Sequence, residues 1–298
     1  MRVTNQMMST TYLKDLNKNL NNLNTLNKQL TTGKEISKPS DNPFKTARIM
    51  QMYSDISANK QYNENIKDTI NWLDTTDVAL EQIGNSAQRI RELMVSAGNA
   101  SYGSDEKNAL KEEINEKINE IAQVLNTNYD GKYIFGGTKS LSKPVGVEKD
   151  SNGNNILVFK DDNGNSFNEE GKAYIKNADG TITRDANGNL AVEANPKPEY
   201  EKLLNQMNAN LSVEVSNGVN MNYNVGTPSI LTLKNGNNVM KLLNDVVNNL
   251  DKVDSSDVIK GNLEEMDLFV SNVSSIRGEV GAKQNRMDSA KTQNEEQN

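Results

Sequence analysis

The residues best placed to do chemistry are oxygen ligands in two loops. Asp150-Ser151-Asn152-Gly153 and Asp185-Ala186-Asn187-Gly188 each bring a carboxylate, an amide and a glycine within four positions. A calcium loop of the EF-hand kind needs oxygen ligands at positions 1, 3 and 5, glycine at 6 and glutamate at 12. Here glycine falls at position 4, so the spacing fits a hairpin turn, where glycine supplies the left-handed conformation without steric cost. Further chemistry is bounded by two absences. The 298 residues contain no Cys and no His, which rules out disulfides, Cys/His metal sites, Cys nucleophiles and His bases. Catalysis would have to rest on Asp, Glu, Lys, Tyr or Ser, and the remaining carboxylates lie mainly on helix exteriors, where they read as solvated charge. No catalytic, cofactor-binding or metal-ligating residue is singled out, and neither an enzyme activity nor a cofactor is expected. Trp72, the single tryptophan, reads as a packing anchor rather than a ligand platform.

Composition narrows the partners. Forty acidic residues against 33 basic ones give a net charge of -7, which argues against nucleic acid. Only 35% of residues are hydrophobic and 5% aromatic. A core that thin suits long helix pairs better than a compact globule. The opening "MRVTNQMMST" lacks the roughly 7–15-residue apolar centre of a signal peptide. No apolar run approaches the ~20 residues of a membrane span. The expectation is a soluble chain without a cleavable signal.

The elements follow from periodicity. Leu13, Leu16, Leu20, Leu23 and Leu30 recur at threes, fours and one heptad, with Leu26 beside the seam. That narrow stripe pairs with another helix rather than a broad core. A second helix starts at Pro43, with a seam of Ile66, Ile70, Leu73, Leu80, Ile83, Ala87, Ile90, Met94 and Ala97, and Asp77 in one slot. Unbroken from Phe44 to Ala100, it would be roughly 85 Å long. Ser104 is expected to cap a third helix, Ser104–Asn128, carrying Leu110, Ile114, Ile118, Ile121 and Leu125. A short helix is expected over Val239–Leu250. A last one, about Asp257–Gln293, has Ile259, Met266, Val273, Val280 and Met287 at intervals of seven, which argues for coiled-coil-like packing.

Between these, from Leu141 to Leu233, helical period vanishes. "NILVF", "KAYIK" and "LSVEV" alternate with "SNGN", "DNGN", "ADGT" and "ANGN". Asn-Gly and Asp-Gly between β-prone runs signal hairpins. The fold class is therefore mainly α with an inserted β-rich domain, on a long antiparallel helical bundle formed by both ends of the chain. The expected domains are an N-terminal segment over 1–40, a helical rod over 41–140 and 236–298, and the β-rich insertion over 141–235. An insertion of that kind should be replaceable by a short linker with the helical core left folded.

"SKPSDNPFKTARIM", from Ser37 to Met50, is a joint. Gly33 can end the first helix in the left-handed conformation. Asn42 can cap the second, since Pro43 disfavours helical geometry before it and fits the first helical position. This stretch, with Pro39, Ser40, Asp41, Pro43, Ala47 and Arg48, resembles the joint of the flagellar hook-associated protein 3 family, the junction proteins between hook and filament. "NTNYDGKYIFGGTKS" is similar to that family's turn out of its helical core, centred on Tyr133, Ile134, Phe135, Gly136, Gly137 and Thr138. "IRGEVGAKQNRMDSA", with Ile276, Gly281, Asn285 and Arg286, resembles a C-terminal helix that the family shares with flagellin. "MRVTNQMM" also fits. The matching blocks span about Met1–Ser140 and Gly236–Asn298.

The resemblance implies a structural axial subunit that self-associates in a ring and joins hook to filament. Its implied partners are hook-associated protein 1 and flagellin, with an export chaperone. The chain would be secreted unfolded through the flagellar type III apparatus and reside at the hook–filament junction. The Leu13–Leu30 stripe would lie in the inner tube of the polymer. Flagellin itself is the nearest alternative, and a secreted coiled-coil adhesin displaying the β-rich domain is a more distant one. In the family a further terminal helix pairs with the N-terminal one. The sequence does not carry it, so residues 1 to about 34 are expected to be disordered in the monomer or ordered only against another copy.

Overall fold

The computed structural model describes residues 2–36, 38–98, 103–185, 188–250 and 256–296. The helices are α1 (Arg2–Thr32), α2 (Pro43–Ala97), α3 (Ser104–Leu125), α4 (Pro198–Asn208), α5 (Thr227–Leu231), α6 (Val239–Leu250) and α7 (Ser256–Glu296). The strands are β1 (Asn128–Tyr129), β2 (Lys132–Tyr133), β3 (Val145–Lys149), β4 (Asn155–Lys160), β5 (Ser166–Phe167), β6 (Ser212–Ser216) and β7 (Val219–Asn222). By its contacts the chain forms two compact units, divided between Gln61 and Tyr62. The boundaries expected at 40, 140 and 235 are not where the contacts divide.

The first unit holds α1, the joint and the start of α2. Residues 2–32 are helical, in place of the disorder expected for a lone Leu stripe. At 31 residues the helix is well beyond the ~12–15 residues below which isolated helices are marginal. Thr10, Thr11, Thr25, Thr31 and Thr32 each donate their hydroxyl to the carbonyl four residues back, which keeps these polar groups satisfied within the helix.

The second unit is built on the predicted seams. Leu73, Leu80, Ile83, Ala87, Ile90 and Met94 of α2 are buried with Ile114, Ile118, Ile121 and Leu125 of α3 and Met266, Val273, Val280 and Met287 of α7. The side chain of Ile259 lies outside the described residues. α2 and α7 run antiparallel. Asp74 meets Gln284 (2.8 Å), Asp77 meets Arg277 (2.7 Å) and Arg91 meets Asp267. Asp77, the polar slot in the α2 seam, is thus the partner of Arg277, whose guanidinium is raised above its usual value first by that hydrogen bond. Arg89 reaches Glu113 at 2.7 Å and ties α3 to α2. The α3 cap is Gly103, and Ser104 is its first helical residue rather than its cap. Leu73 and Ile90 are fully buried. Leu73→Ala or Ile90→Ala is expected to cost about 2–5 kcal/mol, through lost burial plus the cavity left behind. Urea denaturation checks this, and an unchanged midpoint for both would refute the seam.

Among the described residues there are three small antiparallel sheets: β1–β2, which precedes the β-rich stretch, and β3–β4–β5 and β6–β7 within it. "NILVF" and "LSVEV" are strands as read, whereas "KAYIK" makes only isolated bridges. Helix α4 went unread, although Pro198 stands at its start and Tyr200, Leu203 and Met207 are buried at helical spacing. At the "NG" and "DG" steps of this stretch, Gly153, Gly164, Gly180 and Gly188 each donate their N–H to the carbonyl three residues back. In the Asp150 turn the Gly153 N–H donates to the Asp150 carbonyl, and the Asp150 carboxylate accepts from the backbone of Asn152 and Asn154. The same carboxylate also takes Arg184 (2.7 Å), so its oxygens are engaged by donors. Gly153, Gly164, Gly180 and Gly188 all have positive φ. Residues 186–187 of the second loop lie outside the described residues. Among the described residues no group of three or more acidic side chains could hold a metal, and no helix is long and apolar enough to cross a membrane.

The insertion is not packed as a separate module. Val145, Leu157, Phe159 and Phe167 belong to the same buried cluster as Ile114, Ile118, Leu243 and Val246. The Asn115 side chain accepts from the Asn155 backbone at 3.1 Å, and the Asn155 amide returns a bond to the Asn115 carbonyl at 3.0 Å. This packing argues against the expectation that the helical core could stand without it.

Glu148 on β3 gives this sheet a pH dependence. Burial pushes its carboxyl up, but hydrogen bonds from Lys176 and Ser166 and the charges of Lys176 and Lys160 outweigh it and hold the value below 4.5. A depressed carboxyl stabilises the fold above its unfolded value, and that contribution is lost as pH falls through the folded value. Wild type is expected to lose stability relative to Glu148→Gln as pH drops from about 5 to 3, as read by the two melting temperatures. A constant difference would refute it.

Candidate functional site

The candidate site is a set of apolar stripes and the geometry that aims them. Leu13, Leu16, Leu20, Leu23 and Leu30 lie on α1, and all are exposed, from 44% for Leu16 to 82% for Leu30. Leu26 is exposed as well. A stripe this long, left in water, is the signature of a surface awaiting a partner. A second one was missed in the sequence. Phe44, Ile49, Met50, Met52, Tyr53 and Ile56, at the start of α2, are also exposed. The spacing of Ile49, Tyr53 and Ile56 is helical and was legible.

The joint is held by local hydrogen bonds. Gly33 has φ +64° and donates its N–H to Gln29 at 2.8 Å, as a left-handed C-cap does. The Asn42 side chain accepts from the Lys45 backbone at 3.1 Å, capping α2 ahead of Pro43. Asp41 accepts from the Lys38 backbone at 3.0 Å and donates its own N–H to the Lys38 carbonyl at the same distance. Lys45 then reaches back to Glu35 at 2.7 Å, and that hydrogen bond, with the charge of Lys45, holds the Glu35 carboxyl below its usual value. Gly33, Asp41 and Pro43 therefore shape the joint itself. Pro39, Ser40, Ala47 and Arg48 are exposed on it.

The exit turn follows α3. Asp130 and Gly131 both have positive φ and close the β1–β2 hairpin. Tyr133 pairs with Asn128. Ile134 and Phe135 are buried, and the Phe135 carbonyl accepts both the N–H and the hydroxyl of Thr227 at 2.9 Å. Gly136 and Gly137 are required by close approach. A Cβ on Gly136 would sit 2.3 Å from the Lys139 carbonyl, and one on Gly137 2.4 Å from that of Gln206. Lys139 is buried and donates to the carbonyls of Lys143 and Lys160, and burial pushes its ammonium down. On α7, Ile276 is buried, Gly281 has open space around it, and Asn285 and Arg286 are exposed. Arg277, passed over in the sequence, pairs within the chain with Asp77, as Gln284 does with Asp74.

Comparisons with known proteins agree with this layout. Residues 3–140 match the bacterial flagellin N-terminal helical region. A flagellin from Salmonella paratyphi A is 29% identical over 145 residues, covering 48% of this chain and 29% of that protein. The chain thus matches less than a third of that relative's length. A flagellar hook-associated protein from Vibrio parahaemolyticus superposes with a TM-score of 0.63 at 18% identity, over 87% of this chain and 95% of that one. Hook-associated protein 3 from Legionella pneumophila gives 0.54 at 16% identity, over 83% and 95%. Residues 3–140 are thus similar to the bacterial flagellin N-terminal helical region, in a chain whose fold is like that of flagellar hook-associated proteins.

Proposed function

We propose that this chain is a structural subunit of the bacterial flagellum that joins hook to filament. The observation that carries the reading is the exposed Leu13–Leu30 stripe, within a region matching the flagellin N-terminal helical region. Burial against neighbouring subunits would remove that stripe from water and drive assembly. The joint formed by Gly33, Asp41 and Pro43 would set the angle between α1 and α2 in the polymer. Pro39, Ser40, Ala47, Arg48, Asn285 and Arg286 would face other subunits. The partners would be further copies in a ring, hook-associated protein 1 on one side and flagellin on the other. Delivery would be by export of the unfolded chain with a chaperone, so the protein would be secreted.

Flagellin is the second reading, favoured by the Salmonella match. The likeness in fold to hook-associated proteins over more than four-fifths of the chain supports the junction role. Deleting the gene tells them apart. Hooks without filaments, with flagellin shed into the medium, are expected for a junction protein. Bare hooks with no other flagellin made would favour the filament reading, and intact filaments would overturn both.

A further inference from the structure

One cavity has no part in assembly as derived above. It lies in the second unit, where the exit hairpin, β6–β7 and α2 come together. Its volume is about 280 Å³, and Trp72, Tyr129 and Tyr223 line it, with Asp68 and Asp130 among its polar groups. Both tyrosine rings stand nearly perpendicular to the indole, at 80° and 88°, with centroids 6.0 and 5.7 Å away. Trp72 is 6% exposed, and its indole N–H is buried without a hydrogen-bond partner. Asp68 and Asp130 are exposed. Lys132 is the one cation lining the cavity, so the carboxylates outnumber it two to one.

We propose that this pocket binds a small alkylammonium cation. Aromatic faces attract cations through their quadrupole, and tryptophan does so best. Quaternary and alkylated ammonium groups gain most, because their methyl groups need no hydrogen bonds and favour an apolar wall. Asp68 and Asp130 add long-range attraction from the solvent side. A packing anchor alone explains the burial of Trp72. It does not explain a cavity lined by Trp72, Tyr129 and Tyr223 together, nor the two exposed carboxylates that line it with them.

The protein provides its own probe, since Trp72 is the only tryptophan. The full chain is titrated with choline chloride, against sodium chloride at equal ionic strength and against 3,3-dimethylbutanol, the neutral isostere. A saturable change in Trp72 fluorescence with choline alone is expected. Asp68→Asn combined with Asp130→Asn should weaken it roughly tenfold, in line with two surface charges acting on a bound cation. Asn suits the left-handed conformation at 130, so the hairpin survives the change. Saturation-transfer NMR on the choline methyl protons gives a second readout that does not depend on fluorescence. No saturable response to choline by either method, an equal response to the isostere, or full affinity in the folded double variant would each overturn the proposal.

Discussion

Replacing residues 141–233 by a short Gly/Ser linker is expected to abolish cooperative unfolding. The insertion contributes Val145, Leu157, Phe159, Phe167, Leu203 and Met207 to the cluster that also holds Ile114, Ile118, Leu243 and Val246. Each fully buried side chain of this kind stabilises by about 1.5–3 kcal/mol. A domain's net stability is only about 5–15 kcal/mol. Losing five such side chains, roughly 7.5–15 kcal/mol, is as large as that margin, and the facing residues on α3 and α6 are left in water as well. The Asn115–Asn155 pair and the Thr227 bonds to Phe135 go with them. Thermal melts of the excised and intact chains, followed by circular dichroism, decide it. A sharp transition near the intact chain's temperature would show that α2, α3, α6 and α7 suffice alone.

Leu16→Asp combined with Leu23→Asp is expected to block assembly while leaving the monomer's stability almost untouched. Both side chains are exposed in the single chain, and surface substitutions of this kind usually stay within about 0.5 kcal/mol. In a polymer the two leucines would be buried, about 1.5–3 kcal/mol each, and an unpaired carboxylate costs more still. At 1.4 kcal/mol per tenfold, that is a loss of at least roughly a hundredfold in assembly affinity. The variant should reach the culture medium at wild-type levels yet be missing from isolated hook–filament preparations. Its normal incorporation would show that the α1 stripe is not an assembly seam.

Much of the helical layer was legible because its signal is local. Seven-residue spacing in α7 and threes and fours in α2 each identify one apolar face, and those faces are buried. The joint was legible because Gly33, Asn42 and Pro43 act through their own backbones, with no distant partner needed. What failed depended on tertiary packing. Alternating short runs and Asn-Gly turns describe hairpins but not what the hairpins rest on, so β4 gave no hint of its place over α3. Helix α4 was hidden by its polar neighbours, with only Tyr200, Leu203 and Met207 marking its buried face. The disorder expected of α1 was inferred from a missing partner. Burial and helix formation are separate matters over 31 residues, and the stripe is exposed on a formed helix. The aromatic pocket draws Trp72, Tyr129 and Tyr223 from three distant segments, a juxtaposition that no local pattern encodes.

The most direct test of a junction role is where the protein sits on the organelle. Antibody raised against the β-rich stretch, visualised by gold labelling on isolated hook–filament preparations, should mark a single band where hook meets filament. Labelling along the whole filament would contradict the junction role and assign the chain to the filament itself. No labelling of either, with the protein present in the preparation's soluble fraction, would contradict a structural role in the flagellum.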